Sequence, residues 1–449
     1  MGILGLFRSR RFLSDTGGSV LPIFVFALVP VLALAGMAID YTRANSANIK
    51  MQAALDATAL AISSSAPSLS QSALNEQASS FFSAIYNDPN ANGATVTATY
   101  TTANGPQVVV SGTASIKTLF TKLPPINLPQ FNISSSSTIR WGSSRLRVAL
   151  VLDNTGSMAD YNKIGALQTA TKNLLAQLKG AAVNNGDVYV SIIPFVKDVN
   201  VGATNYNASW IDWTDWDANN GTCTGLSHHH HSSPSTQSAC TGAGGTWTAA
   251  AHSTWNGCIT DRGTTNAPSS GNYDTNVVAP TTTITATLFP AEQYSSCPLQ
   301  MMGLSYDWTT MNSLVNQMTP GGNTNQAIGL ALGWQSLVGG GPFTAPPMDS
   351  NYQYNQVIIL LTDGLNTQDR WYTNQASIDA RQQITCNNIK AAGITLYTVQ
   401  VNTDGDPTST LLQNCATDSS KFFLLTSPSQ IVTTFNTIGT NISKLRVAM

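Results

Sequence analysis

The sequence predicts an α/β protein: a doubly wound, mostly parallel sheet with helices on both faces, preceded by a transmembrane helix and a small α+β segment. Three observations predict it. A long charge-free apolar run lies near the N-terminus. Thr/Val-rich alternating runs split by a turn signal follow it. From Arg145 onward, buried-type apolar runs alternate with amphipathic helical patterns, which is how a sheet covered on both faces reads.

The first element is the apolar run. Residues Thr16 to Ile39 carry no charge, and Gly18 to Ile39 are 22 residues. As a helix they span roughly 33 Å, enough for a bilayer core. Pro22 and Pro30 are tolerated in a membrane helix. Arg8, Arg10 and Arg11 precede the run, so the positive-inside rule puts the N-terminus in the cytoplasm and everything after Asp40 outside. The length of the run and the lack of a small-x-small site at its end argue against a cleaved signal. Residues 1–17 are then cytoplasmic and 18–39 a single transmembrane helix. Residues 40–142 form a helical stalk with a small β segment, and 143–449 an α/β domain with an insertion at about 200–300.

Composition agrees with an exported body. Only 10% of residues are charged, against about 25% in ordinary soluble domains. The net charge of −2 gives no electrostatic basis for binding nucleic acid. All six cysteines follow the span, and an even count in an oxidising compartment reads as disulfides. Cys386 and Cys415 sit on neighbouring elements and are expected to pair. Cys223, Cys240, Cys258 and Cys297 then staple the insertion, with three connectivities open.

In the stalk, Ala44 to Ala61 continues the anchor helix until Ser63-Ser64-Ser65-Ala66-Pro67 ends it. A second helix, Gln71 to Tyr86, stops at Asn87-Asp88-Pro89-Asn90. Strands follow at Thr95–Thr101, Gln107–Ser115 and Ile133–Trp141, with a hairpin signal at Ala103-Asn104-Gly105-Pro106. A long helix followed by a small antiparallel sheet is a pilin-like plan. The α/β region reads as strand Leu146–Leu152, helix Lys163–Leu178 and strand Val188–Val196, then the insertion. Helices Met311–Met318 and Asn325–Leu337, strand Gln356–Leu361, helix Ser377–Ala392, strands Ile394–Val401 and Phe422–Leu425, and helix Ser429–Leu445 complete it.

Three loops carry chemistry. Asp153-Asn154-Thr155-Gly156-Ser157 follows the first buried strand, so one carboxylate and two hydroxyls lie where open α/β sheets bind ligands. Thr319-Pro320-Gly321-Gly322-Asn323-Thr324 opens a helix. Asp363 ends the apolar run Val357–Thr362. Oxygen donors without His or Cys suit a hard cation such as Mg²⁺.

With these three elements the chain resembles the von Willebrand factor A-type (vWA) domain, a Rossmann-like fold. In that family a metal-ion-dependent adhesion site (MIDAS) is built from D-x-S-x-S, a distant Thr and a later Asp. The resemblance implies a metal site of Asp153, Thr155, Ser157, Thr324 and Asp363. It implies that Thr155, Ser157 and Thr324 bind the ion directly and the carboxylates mostly through water, with a protein partner's carboxylate as the last ligand. Mg²⁺ is the expected ion, with Mn²⁺ and Ca²⁺ as alternatives. Thr155 stands where the family has Ser, and Asn323 separates the glycines from Thr324.

The N-terminus carries a second resemblance. Arg10-Arg11-Phe12, Gly17-Gly18-Ser19-Val20, Gly36-Met37-Ala38-Ile39-Asp40-Tyr41 and Gln52-Ala53-Ala54-Leu55-Asp56-Ala57-Thr58-Ala59-Leu60-Ala61 resemble the TadE/TadG-like anchor of Flp (tight-adherence) pilus assembly. The TadG branch joins that anchor to a vWA domain. The implied protein is a single-pass component of the bacterial inner membrane, its bulk periplasmic or extracellular, partnered by other pilus-assembly components. The alternatives are a cell-surface adhesin for extracellular ligands and a structural minor pseudopilin with a non-functional metal site. No acidic residue lies between Gly18 and Ile39, so pilin-type processing is not expected.

Other features favour plainer readings. His228-His229-His230-His231 lacks partner residues at ligand spacing and reads as a solvated loop tip. Trp210, Trp213, Trp216, Trp247 and Trp255 read as a core for the insertion. There is no G-x-S-x-G, H-E-x-x-H or G-x-x-x-x-G-K-[ST], and every histidine lies in the insertion, so an enzyme is not expected.

Overall fold

The computed structural model describes residues 20–102, 106–124, 126–140, 144–226, 233–263 and 272–447. The chain divides into two compact units, Met1–Trp141 and Gly142–Met449. The arginines at 8, 10 and 11, the hairpin residues 103–105 and the histidine run at 228–231 lie outside the described residues.

In the first unit, α1 (Val20–Ser63) runs unbroken for 44 residues with Pro30 inside it. Among the described residues it is the one helix long and apolar enough to cross a membrane. Its first half leaves Ile23, Phe24, Phe26, Leu32 and Leu34 exposed. Its second half buries Ala47, Met51, Leu55, Ala59 and Ile62, a helical-spaced stripe that faces a sheet. Helix α2 (Gln71–Ile85) starts at Ser70, whose hydroxyl accepts from Ala73 N at 3.3 Å. Strands β1 (Ala91–Thr101), β2 (Gln107–Lys117) and β3 (Gln130–Arg140) form an antiparallel sheet in that order. β1 and β3 start at Ala91 and Gln130, ahead of Thr95 and Ile133, because pairing to β2 extends through Ala91–Ile116 and Gln130–Lys117. Ladder hydrogen bonds persist there although the side-chain alternation has faded.

The second unit is built from β4 (Ser144–Asp153), α3 (Lys163–Ala181) and β5 (Val188–Phe195). The insertion adds the short strands β6 (Val199–Asn200), β7 (Ile211–Asp212), β8 (Gly221–Thr224), β9 (Thr246–Ala249), β10 (Cys258–Ile259) and β11 (Phe289–Glu292), with helices α4 (Thr214–Asn219) and α5 (Gln237–Gly242). Then come β12 (Met302–Ser305), α6 (Trp308–Gln317), α7 (Gln326–Val338), β13 (Gln353–Thr362), α8 (Gln375–Ala391), β14 (Thr395–Val401), α9 (Thr410–Cys415), β15 (Phe422–Leu425) and α10 (Ser429–Val447). Helices α6 and α8 start a little before the apolar pattern because Asp307 and Asn374 cap them, accepting from Thr310 N at 3.1 Å and Ser377 N at 3.0 Å.

β15-β14-β13-β4-β5 are parallel neighbours, with β12 antiparallel on β5; the insertion strands β6, β10, β11 and β7 prolong the sheet in that order, while β8 and β9 pair in a hairpin of their own. The expected doubly wound sheet is therefore the observed one, and its strand order reverses between β4 and β13. Strand alternation sends Leu146, Val148 and Leu150 to one face, against Leu167, Leu174 and Leu178 of α3 and Phe435 and Ile438 of α10. Ala149 and Val151 face the other side, against Leu330, Leu332 and Leu337 of α7. Gly333 lets α7 approach the sheet: a Cβ there would sit 2.4 Å from Val151 Cγ2.

Cys386–Cys415 ties α8 to α9, and Cys223–Cys240 and Cys258–Cys297 staple the insertion. Trp213 stacks on His252 at 3.8 Å and meets Trp216 and Trp255 edge-on at 5.4 Å. Trp216 and Trp255 are buried and, with Ile211, Ile259 and Phe289, join the core on the α7 side of the sheet, so these rings are core for the insertion.

Candidate metal centre

β4 and β13 deliver Asp153 and Asp363 side by side at the reversal, because Leu361 pairs with Leu152 in register. The carboxyl ends of both strands open into one crevice there. Asp153 is fully buried. One carboxylate oxygen accepts from Thr155 N at 2.8 Å, which turns the loop back on itself. The other accepts from the Thr362 hydroxyl at 2.6 Å. Burial, then the nearby charge of Asp363, pushes the Asp153 carboxyl up to about 7 against the pull of these bonds.

Thr155 Oγ1 lies 3.2 Å from Ser157 Oγ, and Ser157 Oγ donates to Asp363 Oδ1 at 2.7 Å. Three oxygens from two loops thus follow one another at ligand-like spacing. Adjacent ligands on a Mg²⁺ octahedron with bonds of 2.0–2.1 Å lie about 2.9 Å apart, so this donor set fits a hard divalent cation. Among the described residues no group of three or more His, Cys, Asp or Glu side chains could hold a metal; the candidate set here depends on hydroxyls.

Thr324 sits on the third loop and is buried. Gly156 N donates to Gly322 O at 3.1 Å and Gly321 N to Asn154 O at 2.9 Å, which laces this loop to the first. Gly322 has φ +76°, a conformation glycine adopts without penalty. On the other side, Thr367 N and Gln368 N donate to Thr324 O, and Thr324 N donates to Thr367 Oγ1 at 2.8 Å. Asn323, exposed, bonds outward through its N–H to Tyr294 Oη at 3.0 Å. Asn325 caps α7 and donates to Asp261 Oδ2 at 2.8 Å, so the insertion buttresses the loop from below. Burial, then the charges of Asp369 and Asp274, pushes the Asp261 carboxyl up to about 7.

Sequence reasoning missed Lys163. Its side chain is fully buried, and its Nζ donates to Asp363 Oδ2 at 2.9 Å and to Asp404 Oδ2 at 2.8 Å. Burial pulls the ammonium's pKa down, but the bonds and charges of Asp404 and Asp363 outweigh it and hold the pKa above its ordinary value. Tyr161 and Asn162, both with positive φ (52° and 56°), turn the chain so that α3 begins at this lysine. The overlooked signal is a cation in the first helical turn, where the macrodipole disfavours it.

The site is thus a wound α/β sheet with three oxygen-bearing loops at its switch point. Residues 18–62 match the family model for Flp pilus-assembly TadE/G-like proteins, Tad. Similar solved structures include the pilus adhesin SpaC of Lactobacillus rhamnosus GG, at 15% identity and TM-score 0.36, over 80% of this chain and 36% of that one. Others are the vWF domain of the type V pili tip protein Mfa5 of Porphyromonas gingivalis (10%, TM-score 0.36, 66% of this chain and 95% of that one) and proximal thread matrix protein 1 of the mussel byssus with a zinc-occupied MIDAS motif (11%, TM-score 0.34, 68% and 47%). The chain spans about a third of SpaC's length. No curated protein matches it. The N-terminal segment is thus similar to Flp pilus-assembly TadE/G-like proteins over residues 18–62, and here it is joined to an α/β unit.

Proposed function

We propose that this protein is a membrane-anchored component of Flp pilus assembly, whose α/β unit uses a divalent cation to grip a protein partner. Thr155, Ser157 and Thr324 hold the ion directly, and Asp153 and Asp363 hold it mostly through water. Mg²⁺ is the ion the all-oxygen set favours, ahead of Mn²⁺ and Ca²⁺. The ion supplies an open coordination position that a partner's carboxylate fills, so the site binds and does no catalysis. The observation that carries this reading is the contact of Ser157 with Asp363, 206 residues apart, at the sheet's switch point. Helix α1 anchors the chain in the inner membrane, with its N-terminus inside.

The test is Asp153→Ala in the full chain. It is expected to fold, keep its disulfides and lose Mg²⁺-dependent capture of pilus-assembly partners, as EDTA does for the unaltered protein. Capture that persists in EDTA rules out a working metal site. A second reading, a structural component with a non-functional site, is favoured by one observation: the Lys163 ammonium already sits on Asp363. Calorimetric titration with Mg²⁺ separates the two, since a vestigial site gives no binding heat that Asp153→Ala abolishes.

A further inference from the structure

The first unit carries an apolar loop that the metal site does not explain. It follows β2 and returns to β3. Leu119, Phe120, Leu123 and Leu128 on it are 49%, 44%, 53% and 40% exposed. Four large apolar side chains on one short loop in water are unfavourable. Its described residues bond to one another: Leu128 N donates to Thr121 O at 2.8 Å, Thr118 Oγ1 to Leu128 O at 2.6 Å, and Leu123 N to Phe120 O at 3.0 Å.

Its attachment fixes where those side chains lie. Asp40, buried at the end of the charge-free stretch, accepts from three consecutive backbone N–H groups: Leu119 at 2.9 Å, Phe120 at 2.8 Å and Thr121 at 2.8 Å. The backbone therefore faces α1 through its N–H groups. One turn lower, Phe120 rests against Gly36, where an added Cβ would come within 2.6 Å of Phe120 Cβ. At 1.5 Å per residue, Gly36 is about 4–5 Å inside the end of the apolar run at Ile39. The loop is thus level with the last turn of the candidate span, whose own side chains Leu34, Met37 and Ile39 are exposed around it. Exposed Lys117 precedes the loop and exposed Lys122 lies on it, and Tyr41, 65% exposed, stands one residue past Asp40. Cations and an aromatic at that level are what the headgroup region favours.

We propose that the loop carrying Leu119, Phe120, Leu123 and Leu128 is seated in the membrane interface beside α1, held at that depth by Asp40 and Gly36. It rests on reading α1 as a membrane span. The occupant of the apolar patch is the bilayer, because the patch is continuous with the exposed apolar surface of the helix. Seated this way, the loop braces the helix where it leaves the membrane and sets the attitude of the stalk.

The test uses the full chain in phosphatidylethanolamine/phosphatidylglycerol vesicles. The native cysteines are all paired, so single-cysteine variants Leu123→Cys, Leu28→Cys and Ser134→Cys can each carry one nitroxide. Collision rates with oxygen, which partitions into lipid, and with a water-soluble nickel chelate are compared. The expected oxygen-to-nickel ratio at Leu123→Cys lies between those at Leu28→Cys and Ser134→Cys, and Asp40→Ala shifts it toward the aqueous value. A lipid-like ratio at Leu28→Cys with an aqueous ratio at Leu123→Cys overturns the proposal and leaves the span intact. An aqueous ratio at Leu28→Cys overturns the span and the proposal with it. Label–label broadening at Leu123→Cys, with shielding from both reagents, means a second copy covers the patch and also overturns it.

Discussion

Lys163→Met is the perturbation that says most about the candidate metal centre. The lysine is buried and its partner Asp363 is 3% exposed. At 2.9 Å and an effective dielectric of 20, their attraction is roughly 6 kcal/mol, most of it offset by desolvation. Removing one member of such a pair strands the other, at a cost of about 3–5 kcal/mol. Asp404 is partly exposed and can turn to water, so Asp363 bears the loss. Over a unit of roughly 310 residues, unfolding entropy is about 0.65 kcal/mol/K, so the Tm in EDTA is expected to fall by about 5–8 °C. A cation can then take the place of the ammonium. At about a hundred times its Kd, Mg²⁺ stabilises by about 2.7 kcal/mol, which closes half or more of the gap, and it binds the variant more tightly than the unaltered site. Tryptophan fluorescence is the assay, because eight of the nine tryptophans lie in Gly142–Met449. An unchanged Tm in EDTA refutes the stranded-carboxylate argument. An equal Mg²⁺ shift in both proteins refutes the idea that ammonium and cation share Asp363.

The raised pKa of Asp153, about 7, makes cation binding displace a proton. Mg²⁺ affinity in the unaltered protein is expected to fall by up to about tenfold per pH unit below 7, measured by calorimetry from pH 5 to 8; a flat profile refutes it. In EDTA the sign for stability is opposite to that of an ordinary paired carboxylate. The folded states of Asp153 and Asp261 hold their protons more tightly than the unfolded chain, so their contribution is full below about pH 4 and is lost as pH rises toward 7. Asp261→Asn is expected to keep the acceptor for Asn325 and flatten part of that fall in Tm; an unaltered pH profile counts against burial as the cause. Tyr161 is 69% exposed beside the site and holds positive φ. Tyr161→Gly relieves the backbone but gives up the ring's contact with the Lys163 ammonium, 5.9 Å from its centroid, and removes a large exposed aromatic, so partner capture is expected to weaken with Mg²⁺ affinity retained.

What the sequence made legible and what it hid divide by the range of the interaction. Asp153, Thr155 and Ser157 are readable because a local pattern, an apolar strand ending in D-x-T-x-S, states both their chemistry and their position. Asp363 is readable for the same reason, at the end of its own strand. Lys163 is different. Its partners are 200 and 241 residues away, and no local pattern names them. Thr362 likewise reads as one more strand residue until register sets it opposite Asp153. The insertion shows the same limit: four cysteines announce two bridges, but only the fold brings Cys258 to Cys297 and packs Trp213 on His252. Local rules therefore specify donors, while the charge around them is set by long-range packing. The electrostatics of this site follow: two adjacent carboxylates at the switch point would repel one another, and the buried ammonium of Lys163, at the start of the next helix, offsets that repulsion; on the proposed reading a cation would take over that role. On the proposed reading, that ammonium would hold the loops in place before any ion binds, which is what a binding surface needs if the partner, rather than the ion alone, completes it.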